Sequence, residues 1–253
     1  MDVKIRKILV SQPQPKSEKS PYFELAEKRN LKIDFRPFIH VEGIPCKEFR
    51  QQKIDISAHS AVVFTSKTAV DHYFRISEEM RVTIPDSMKY FCLTESIAYY
   101  LQKYIVYRKR KIFYGKSNIH DLLDVILKHK DQKFLLPLSD QHKKEIPLIL
   151  EKNKINFTKA IFYRTISCDL SDLSLINYDI LVFFSPSGIR SLKKNFPNFE
   201  QNETKIACFG KTTAKAVRDA GLRLDIEAPM PQAPSMTMAL EYYMNKLAKN
   251  GKK

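Results

Sequence analysis

Ala61–Phe74 reads AVVFTSKTAVDHYF, and Ile180–Phe196 reads ILVFFSPSGIRSLKKNF. Each stretch combines a short apolar run typical of a buried strand, a small turn rich in hydroxyl groups, and the start of an amphipathic helix. Such a turn directs backbone N–H groups and Ser or Thr hydroxyls beyond the strand end, where they can bind an anion. The repetition of this unit predicts two similar α/β domains with a ligand held between them.

Short apolar segments alternate with helical patterns along the whole chain, which predicts parallel sheets covered by helices on both faces. The predicted strands divide into two sheets of five: Lys7–Ser11, Lys32–Val41, Ala61–Thr65, Lys89–Leu93, Lys111–Tyr114, Lys133–Pro137, Phe157–Ile166, Ile180–Ser185, Lys205–Phe209 and Leu224–Glu227. The predicted helices are Pro21–Asn30, Lys67–Glu79, Glu95–Tyr104, Ile119–Lys128, Lys143–Lys152, Ser187–Asn195, Thr212–Ala220 and Ser235–Leu247.

Two of the predicted strands, Lys32–Val41 and Phe157–Ile166, are unusually long. Strands of this length could connect two domains. The chain would then leave the first domain near Ile39 and return to it near Ser167, so that the first domain is built from both ends of the chain. The same pattern is compatible with two domains in simple succession, divided near Lys130.

The composition indicates a basic globular protein. The chain has 253 residues, 43% of them hydrophobic, and Lys and Arg outnumber Asp and Glu by 43 to 28, which gives a formal net charge of +15. A charge of this size indicates either an anionic partner or a surface that is simply rich in lysine. The basic clusters Arg108–Lys111 and Lys246–Lys253 lack the interleaved aromatic residues of nucleic-acid modules. We therefore expect a polycarboxylate or phosphate ligand and no nucleic-acid partner; nucleic-acid binding is an alternative that the charge alone supports.

The cysteines are far apart and form no C-x-x-C pair, which predicts free thiols in a reducing compartment: Cys46, Cys92, Cys168 and Cys208. The histidines show no spacing typical of metal ligands, so we expect no metal site. Met1–Val10 is not followed by the apolar run of a signal peptide, and no apolar stretch is long enough to span a membrane. These features predict a cytoplasmic protein that is not bound to membranes.

The segment Lys205–Leu240, KIACFGKTTAKAVRDAGLRLDIEAPMPQAPSMTMAL, resembles the signature of the uroporphyrinogen-III synthase family. Ile180–Leu192, with its Ser-Pro-Ser-Gly turn, is similar to the strand and turn of the same family that follow the return to the first domain. Ala61–Val70 is similar to the family's Phe-Thr-Ser turn, and Phe162–Thr165 to its Tyr-x-Thr segment on the connecting strand. These matches occur in family order and cover most of the chain.

The resemblance implies two α/β domains joined by a two-stranded β ribbon. The first would comprise residues 1–38 and 167–253, and the second residues 39–166. It also implies a cofactor-independent lyase of tetrapyrrole biosynthesis, the route to haem, sirohaem and cobalamin. Such an enzyme cyclises hydroxymethylbilane to uroporphyrinogen III, with inversion of ring D and loss of water. The family's substrate is a small polycarboxylate tetrapyrrole, and a two-domain cleft of this kind needs no second copy, so we expect a monomer.

The substrate carries eight carboxylates, and the resemblance implies that the hydroxyl-rich turns bind them. The expected contacts are Thr65, Ser66, Lys67, Ser96, Ser185, Pro186, Ser187, Gly188, Gly210, Lys211, Thr212 and Thr213. In the last of these turns the family usually has Pro where this chain has Lys211, and Lys67 stands where Arg is common. The turn at Gly210 is not a Walker A loop, because Lys205 occupies the position of the required first Gly. The same Ser and Thr residues could also be ordinary helix N-caps without a ligand; Thr212 or Thr213 is the expected cap at Gly210.

Tyr163, in the segment similar to the family's Tyr-x-Thr, is the predicted catalytic acid. Ring closure begins with loss of hydroxide from the hydroxymethyl group, and a Tyr with an ordinary pKa of about 10 stays protonated and can donate to that leaving group. Tyr163 could instead be a core or ribbon residue. The chain could likewise be a two-domain protein of the same fold that binds an anion without turnover.

Overall fold

The computed structural model describes residues 5–250, except for the side chains of residues 176 and 250. The ends of the predicted first domain, residues 1–4 and 251–253, lie outside the described residues, as does the end of the basic Lys246–Lys253 cluster. Backbone contacts divide the chain into two compact units. One contains the described residues up to His40 together with those from Ile166 onward, and the other is Val41–Thr165.

Strands and helices alternate through most of the chain. The strands are β1 (Lys7–Val10), β2 (Lys32–Phe35), β3 (Ile39–Gly43), β4 (Ala61–Phe64), β5 (Lys89–Cys92), β6 (Ile112–Tyr114), β7 (Phe134–Ser139), β8 (Phe157–Ser167), β9 (Ile180–Phe183), β10 (Lys205–Phe209) and β11 (Ile226–Ala228). The helices are α1 (Pro21–Arg29), α2 (Cys46–Gln51), α3 (Lys67–Glu79), α4 (Glu95–Tyr100), α5 (Ile119–Leu127), α6 (Glu145–Lys152), α7 (Pro186–Asn195), α8 (Lys211–Asp219) and α9 (Met236–Asn250).

The first unit is built on a parallel sheet with strand order β11-β10-β9-β1-β2. Alternate residues of its central strands point to opposite faces, and both faces are buried. Ile8 and Val10 pack with Leu25 of α1 and Leu240 of α9. Leu9, on the other face, belongs to a cluster that includes α7 and α8 residues. Burial on both faces explains why these strands are continuous apolar runs.

The second unit contains most of a sheet with strand order β3-β8-β7-β4-β5-β6, in which β8, β7, β4, β5 and β6 pair in parallel. Val62 and Phe64 of β4 face a cluster with α3 and α4, whereas Val63 faces a cluster with α5 and α6. The predicted α/β class with largely parallel sheets is confirmed.

Strand β3 runs antiparallel to β8. The Ile44 N–H donates to the Phe162 carbonyl (3.1 Å), and the Cys168 N–H donates to the Phe38 carbonyl (2.9 Å). As residue numbers rise along one strand they fall along the other, which is the antiparallel pattern. The long strand predicted at Phe157–Ile166 is confirmed as β8.

The single strand predicted at Lys32–Val41 is wrong. The chain forms two strands in different sheets, β2 and β3, so the sheets have five and six strands rather than five each. Pro37 has no N–H to donate to a sheet, and Phe38 turns into the core, where it is fully buried against the ring of Phe183. The short helix α2 was also not predicted.

No helix among residues 5–250 is both long and apolar enough to cross a membrane.

Burial of His59 predicts that stability falls in mild acid. His59 is only 4% exposed, its Nδ1 is 2.8 Å from the Asp55 carbonyl, and its Nε2 has no hydrogen-bond partner among the described residues. Burial lowers the pKa of His59 below its ordinary value, and burial likewise lowers those of His72 and His129. The unfolded chain, with a histidine pKa of about 6.5, therefore binds more protons in mild acid than the folded chain.

We expect the free energy of unfolding to be fully present above about pH 6.5 and to decrease as the pH falls toward the lower folded-state pKa values. Urea denaturation at about pH 7.5 and about pH 5.5 measures the difference. His59→Gln should reduce it, whereas His120→Gln, at an exposed histidine of α5, should not. Equal pH dependence in His59→Gln and the unmodified protein would contradict this assignment.

Candidate functional site

Hydroxyl groups collect where the strands of the second unit end. Parallel strands place their carboxyl ends at one edge of a sheet, and ligands of open α/β sheets bind beyond that edge. Thr65 and Ser66 follow β4, Thr94 follows β5, and Asp140 follows β7. Tyr163 lies within β8, which continues beyond the end of its neighbour β7.

Ser66 is the N-cap of α3 and also contacts Tyr163. Its extended backbone places the hydroxyl over the first turn, where Oγ accepts a hydrogen bond from the Ala69 N–H (3.0 Å). The same Oγ is 3.3 Å from the phenolic oxygen of Tyr163, which is distant in sequence. The structure therefore brings together two residues that the sequence assigned to separate roles.

Tyr163 is held in a mostly apolar setting, with 9% of its surface exposed. Burial raises its pKa above the ordinary value, and the hydrogen bond with Ser66 opposes this only in part. Its carbonyl accepts a hydrogen bond from the Asp140 N–H (3.1 Å), which fixes the backbone of β8 beside the end of β7. The phenol consequently remains protonated at neutral pH and can act as a proton donor.

The other predicted contacts of this unit differ in their environment. Thr65 is half-buried, whereas Lys67 is exposed, with its Nζ 5.4 Å from the centre of the Tyr100 ring. Ser96 is exposed within α4 and does not cap it. The cap is Thr94, whose Oγ1 accepts from the Ile97 N–H (3.3 Å). A hydroxyl residue directly after the apolar run of β5 was the sequence signal for that cap.

In the first unit, Ser185 caps α7, and its Oγ accepts from the Gly188 N–H (3.2 Å). Pro186 is the first residue of the helix, a position where its missing N–H has no cost. Gly188 is buried, and a Cβ there would lie 3.3 Å from the ring of Phe183. Ser187 accepts a hydrogen bond from Arg190 (2.8 Å).

Ser11 is a residue of this edge that the sequence analysis missed. It directly follows β1, is 7% exposed, and its N–H donates to the Val182 carbonyl (3.0 Å). Its Oγ would lie 3.9 Å from a Cβ at Gly188, so Ser11 and the start of α7 are neighbours. The only sequence signal was a lone Ser at the end of a strand.

Gly210, not Thr212 or Thr213, is the N-cap of α8. Its φ of 88° and ψ of 145° belong to a region that is almost restricted to glycine, and no side chain caps this helix. Thr213 is buried on the core side, while Lys211 and Thr212 are exposed. The predicted threonine cap is therefore wrong, because the left-handed turn at Gly210 already starts the helix and points Thr213 inward.

Substitution of Gly210 tests this turn. A Cβ at Gly210 would meet no other atom, so the cost of Gly210→Ala is backbone strain alone, which we expect to lower the free energy of unfolding by about 1–3 kcal/mol. Chemical denaturation measures the change, with the exposed neighbour Lys211→Ala as the control. Unchanged stability of Gly210→Ala would contradict the strained conformation.

Among residues 5–250, no group of three or more His, Cys, Asp or Glu side chains is arranged to hold a metal ion. The polar groups described at the two sheet edges include hydroxyls, backbone N–H groups and exposed lysines, together with the carboxylate of Asp140, which accepts hydrogen bonds from Ser139 and the Thr165 N–H. The hydroxyls, N–H groups and lysines suit an anionic organic ligand.

Comparisons with known proteins identify a family model and solved structures of similar fold. A family model described as uroporphyrinogen-III synthase HemD matches residues 20–238. A uroporphyrinogen-III synthetase from Helicobacter pylori is structurally similar, with a TM-score of 0.57 and 18% identity over 96% of this chain and 100% of that chain. A mutant uroporphyrinogen III synthase from Thermus thermophilus has a TM-score of 0.55 and 15% identity over 95% of this chain and 99% of that chain.

At these identities the solved structures show a shared fold, and no curated protein sequence matches the chain. The family model covers most of the chain and confirms the resemblance seen in the sequence. The chain belongs to the uroporphyrinogen-III synthase family, whose members are lyases of porphyrin biosynthesis.

Proposed function

We propose that this chain cyclises hydroxymethylbilane to uroporphyrinogen III, inverting ring D and releasing water. Family membership supports the lyase class and the tetrapyrrole substrate. The observation that carries the mechanism is the contact of the Tyr163 phenol with the Ser66 hydroxyl at the carboxyl edge of the second unit's sheet. The buried Tyr163 phenol can donate its proton, and the phenolate that remains can then accept a hydrogen bond from the neighbouring Ser66 hydroxyl.

In the first step the C–O bond of the hydroxymethyl group breaks. The Tyr163 proton moves to the departing oxygen, which leaves as water, and the pyrrole nitrogen stabilises the carbon cation that remains. The resulting phenolate accepts a hydrogen bond from Ser66. The substituted carbon of ring D bonds to this cation, and the bond between the same carbon and the ring C methylene then breaks. The ring C methylene bonds instead to the unsubstituted α carbon of ring D, which inverts the ring, and the proton lost from that carbon restores the phenol.

The larger part of the rate enhancement comes from folding a linear substrate so that ring D meets the cation. The protein would fold the substrate by binding its carboxylates at fixed positions. The N-termini of α3, α7 and α8 offer backbone N–H groups that have no partner inside their own helices. Each such contact contributes about 0.3–1 kcal/mol when exposed, so several are needed, and the exposed Lys67 and Lys211 add two positive charges.

We also propose that the chain has two domains, residues 1–38 with 167–253 and residues 39–166, joined by a β ribbon of β3 and β8. These bounds lie within two residues of those of the two compact units. The antiparallel hydrogen bonds at Ile44 and Cys168 support this division. The proposal includes no cofactor, because the electron-rich pyrrole and one weak acid suffice for the chemistry. We propose that the protein is a monomer. Its basic charge serves to bind the anionic tetrapyrrole and not nucleic acid. The free cysteines are compatible with a reducing compartment such as the cytoplasm.

A coupled assay tests the function. Hydroxymethylbilane is generated in the reaction mixture, this protein is added, the products are oxidised, and the uroporphyrin isomers are separated. Uncatalysed closure gives isomer I, so we expect a shift to isomer III. If a folded sample leaves the product as isomer I, the synthase proposal is wrong, and binding of an anionic tetrapyrrole without turnover becomes the better account.

A further inference from the structure

His72 lies against the face of Tyr163 in the second unit. The two ring centres are 5.3 Å apart and the ring planes are inclined by 23°, which is a stacked arrangement. His72 belongs to α3, whose N-cap Ser66 contacts the Tyr163 hydroxyl. The N-terminal part of α3 therefore contacts Tyr163 at two places: Ser66 contacts its oxygen, and His72 stacks on its ring.

Arg75 fixes the imidazole in turn. Its Nε donates to His72 Nδ1 (3.3 Å), its Nη2 donates to the Ile44 carbonyl (2.7 Å), and its Nη1 donates to Glu79 (2.6 Å). Arginine is permanently protonated and has only donors. Nδ1 of His72 must therefore be the acceptor, which requires a neutral ring with its proton on Nε2.

Gly43, at the end of β3, provides the space for this arrangement. A Cβ at this position would lie 2.6 Å from Arg75 Nη2, 2.7 Å from His72 Nδ1 and 2.8 Å from His72 Cε1. All three distances are shorter than real Cβ contacts, so any other residue would displace the imidazole or the guanidinium. Glycine at this position therefore lets both side chains take their observed places, through close approach and not through its backbone angles.

The charges around His72 favour the same neutral state. Burial, reinforced by the positive charge of Arg75, lowers its pKa, and the carboxylate of Asp71 opposes this only in part. From β8 the group that faces the ring is the Tyr163 phenol, and Glu79 is engaged with Arg75. A protonated ring would lose the hydrogen bond from Arg75 and would place a cation against the tyrosine.

We propose that His72, fixed by Arg75 and accommodated by Gly43, is a positioning residue that orients the Tyr163 ring. The role of Tyr163 as the acid rests on the proposed function, whereas the state of His72 does not. The neutral state of His72 matters for this role because a protonated ring would lose the hydrogen bond from Arg75 that holds the imidazole against Tyr163. His72 acts through Tyr163 and forms no bond to the substrate.

The first test is independent of activity. NMR titration of the histidine Cε1–H signals, with His72 identified by its loss in His72→Phe, should show His72 titrating below the ordinary value of about 6.5. In Arg75→Met, which removes the positive charge and the donor, the His72 midpoint should rise. An ordinary midpoint in the unmodified protein that is unchanged in Arg75→Met would overturn the proposal. Arg75→Lys, which keeps the charge but loses the planar donor set, provides a second variant if Arg75→Met does not fold.

The second test uses the isomer III assay and separates kcat from KM. Loss of the stacked ring in His72→Ala should lower kcat about ten-fold with little change in KM, because the acid is misplaced while the carboxylate contacts remain. His72→Phe keeps a flat ring and should recover most of kcat. In the unmodified protein, protonation of His72 should lower kcat at acid pH, and this decrease should be absent from His72→Phe. His120→Ala, at an exposed histidine of the same unit, is the matched control.

Equal kcat values for His72→Ala and His120→Ala would overturn the positioning role. A fall in kcat that His72→Phe does not recover would also overturn it, since a stacked ring would then not be the relevant feature. If the unmodified protein makes no isomer III, the proposed function fails, and the NMR titration still decides whether Arg75 holds His72 neutral.

Discussion

Tyr163→Phe is expected to lower kcat for isomer III formation by about 10²-fold, the lower end of the contribution of a general acid. The substitution removes one oxygen atom and leaves the ring, so the stacking with His72 and the packing of β8 are retained. Because the carboxylate contacts lie elsewhere, KM should change little. The coupled assay with separation of the isomers measures both constants.

The matched control for this substitution is Tyr242→Phe, which removes a hydroxyl from an exposed tyrosine of α9. We expect the control to keep the activity of the unmodified protein. Ser66→Ala adds a second comparison, because it removes the partner of the phenol and the cap of α3 together. Full activity of Tyr163→Phe would show that Tyr163 is not the acid, while isomer III formation itself would still support the synthase function.

Phe38→Ala is expected to cost about 3–5 kcal/mol of the free energy of unfolding, the usual range for removal of a buried Phe side chain. Phe38 is fully buried, and its ring meets that of Phe183 edge to face with 5.4 Å between the centres. Truncation would leave a cavity beside β9. A loss of this size is a large part of the 5–15 kcal/mol that stabilises a typical domain.

Urea denaturation followed by circular dichroism measures this loss, since the chain has no tryptophan to serve as a fluorescent probe. Val41→Ala, at a half-exposed residue of β3, is the control and should change stability by no more than about 0.5 kcal/mol. A loss below about 1 kcal/mol for Phe38→Ala would contradict the full burial of this side chain against Phe183.

Contiguous residues encoded most of the secondary structure. Two strand–helix units, β4 with α3 and β9 with α7, are each contiguous in sequence. In each unit an apolar run, a hydroxyl-bearing N-cap and an amphipathic pattern follow in order. Each of these signals acts between residues that are near in sequence, so local patterns suffice to predict it. The family resemblance depended on the same local segments.

The break at Pro37 could not be predicted in this way. The segment Lys32–Val41 is uniformly suited to a strand, and one proline is tolerated in an edge strand. What divides it is the burial of Phe38 against Phe183, a residue far along the chain. Likewise, Thr212 and Thr213 are good caps by composition, but the left-handed turn at Gly210 replaced them.

Local sequence patterns were enough to predict the α/β class, most of the strands and helices, the hydroxyl-rich turns and the family. Which of those groups come into contact depends on the folded arrangement of the strands and helices. Ser66 and Tyr163 are 97 residues apart, and they come together because β7 lies between β4 and β8 and all three end at one sheet edge. The same packing of α3, β3 and β8 brings His72, Arg75 and Gly43 close to Tyr163. Strand register and helix packing set such contacts, and they are properties of the folded chain that no local stretch of sequence contains.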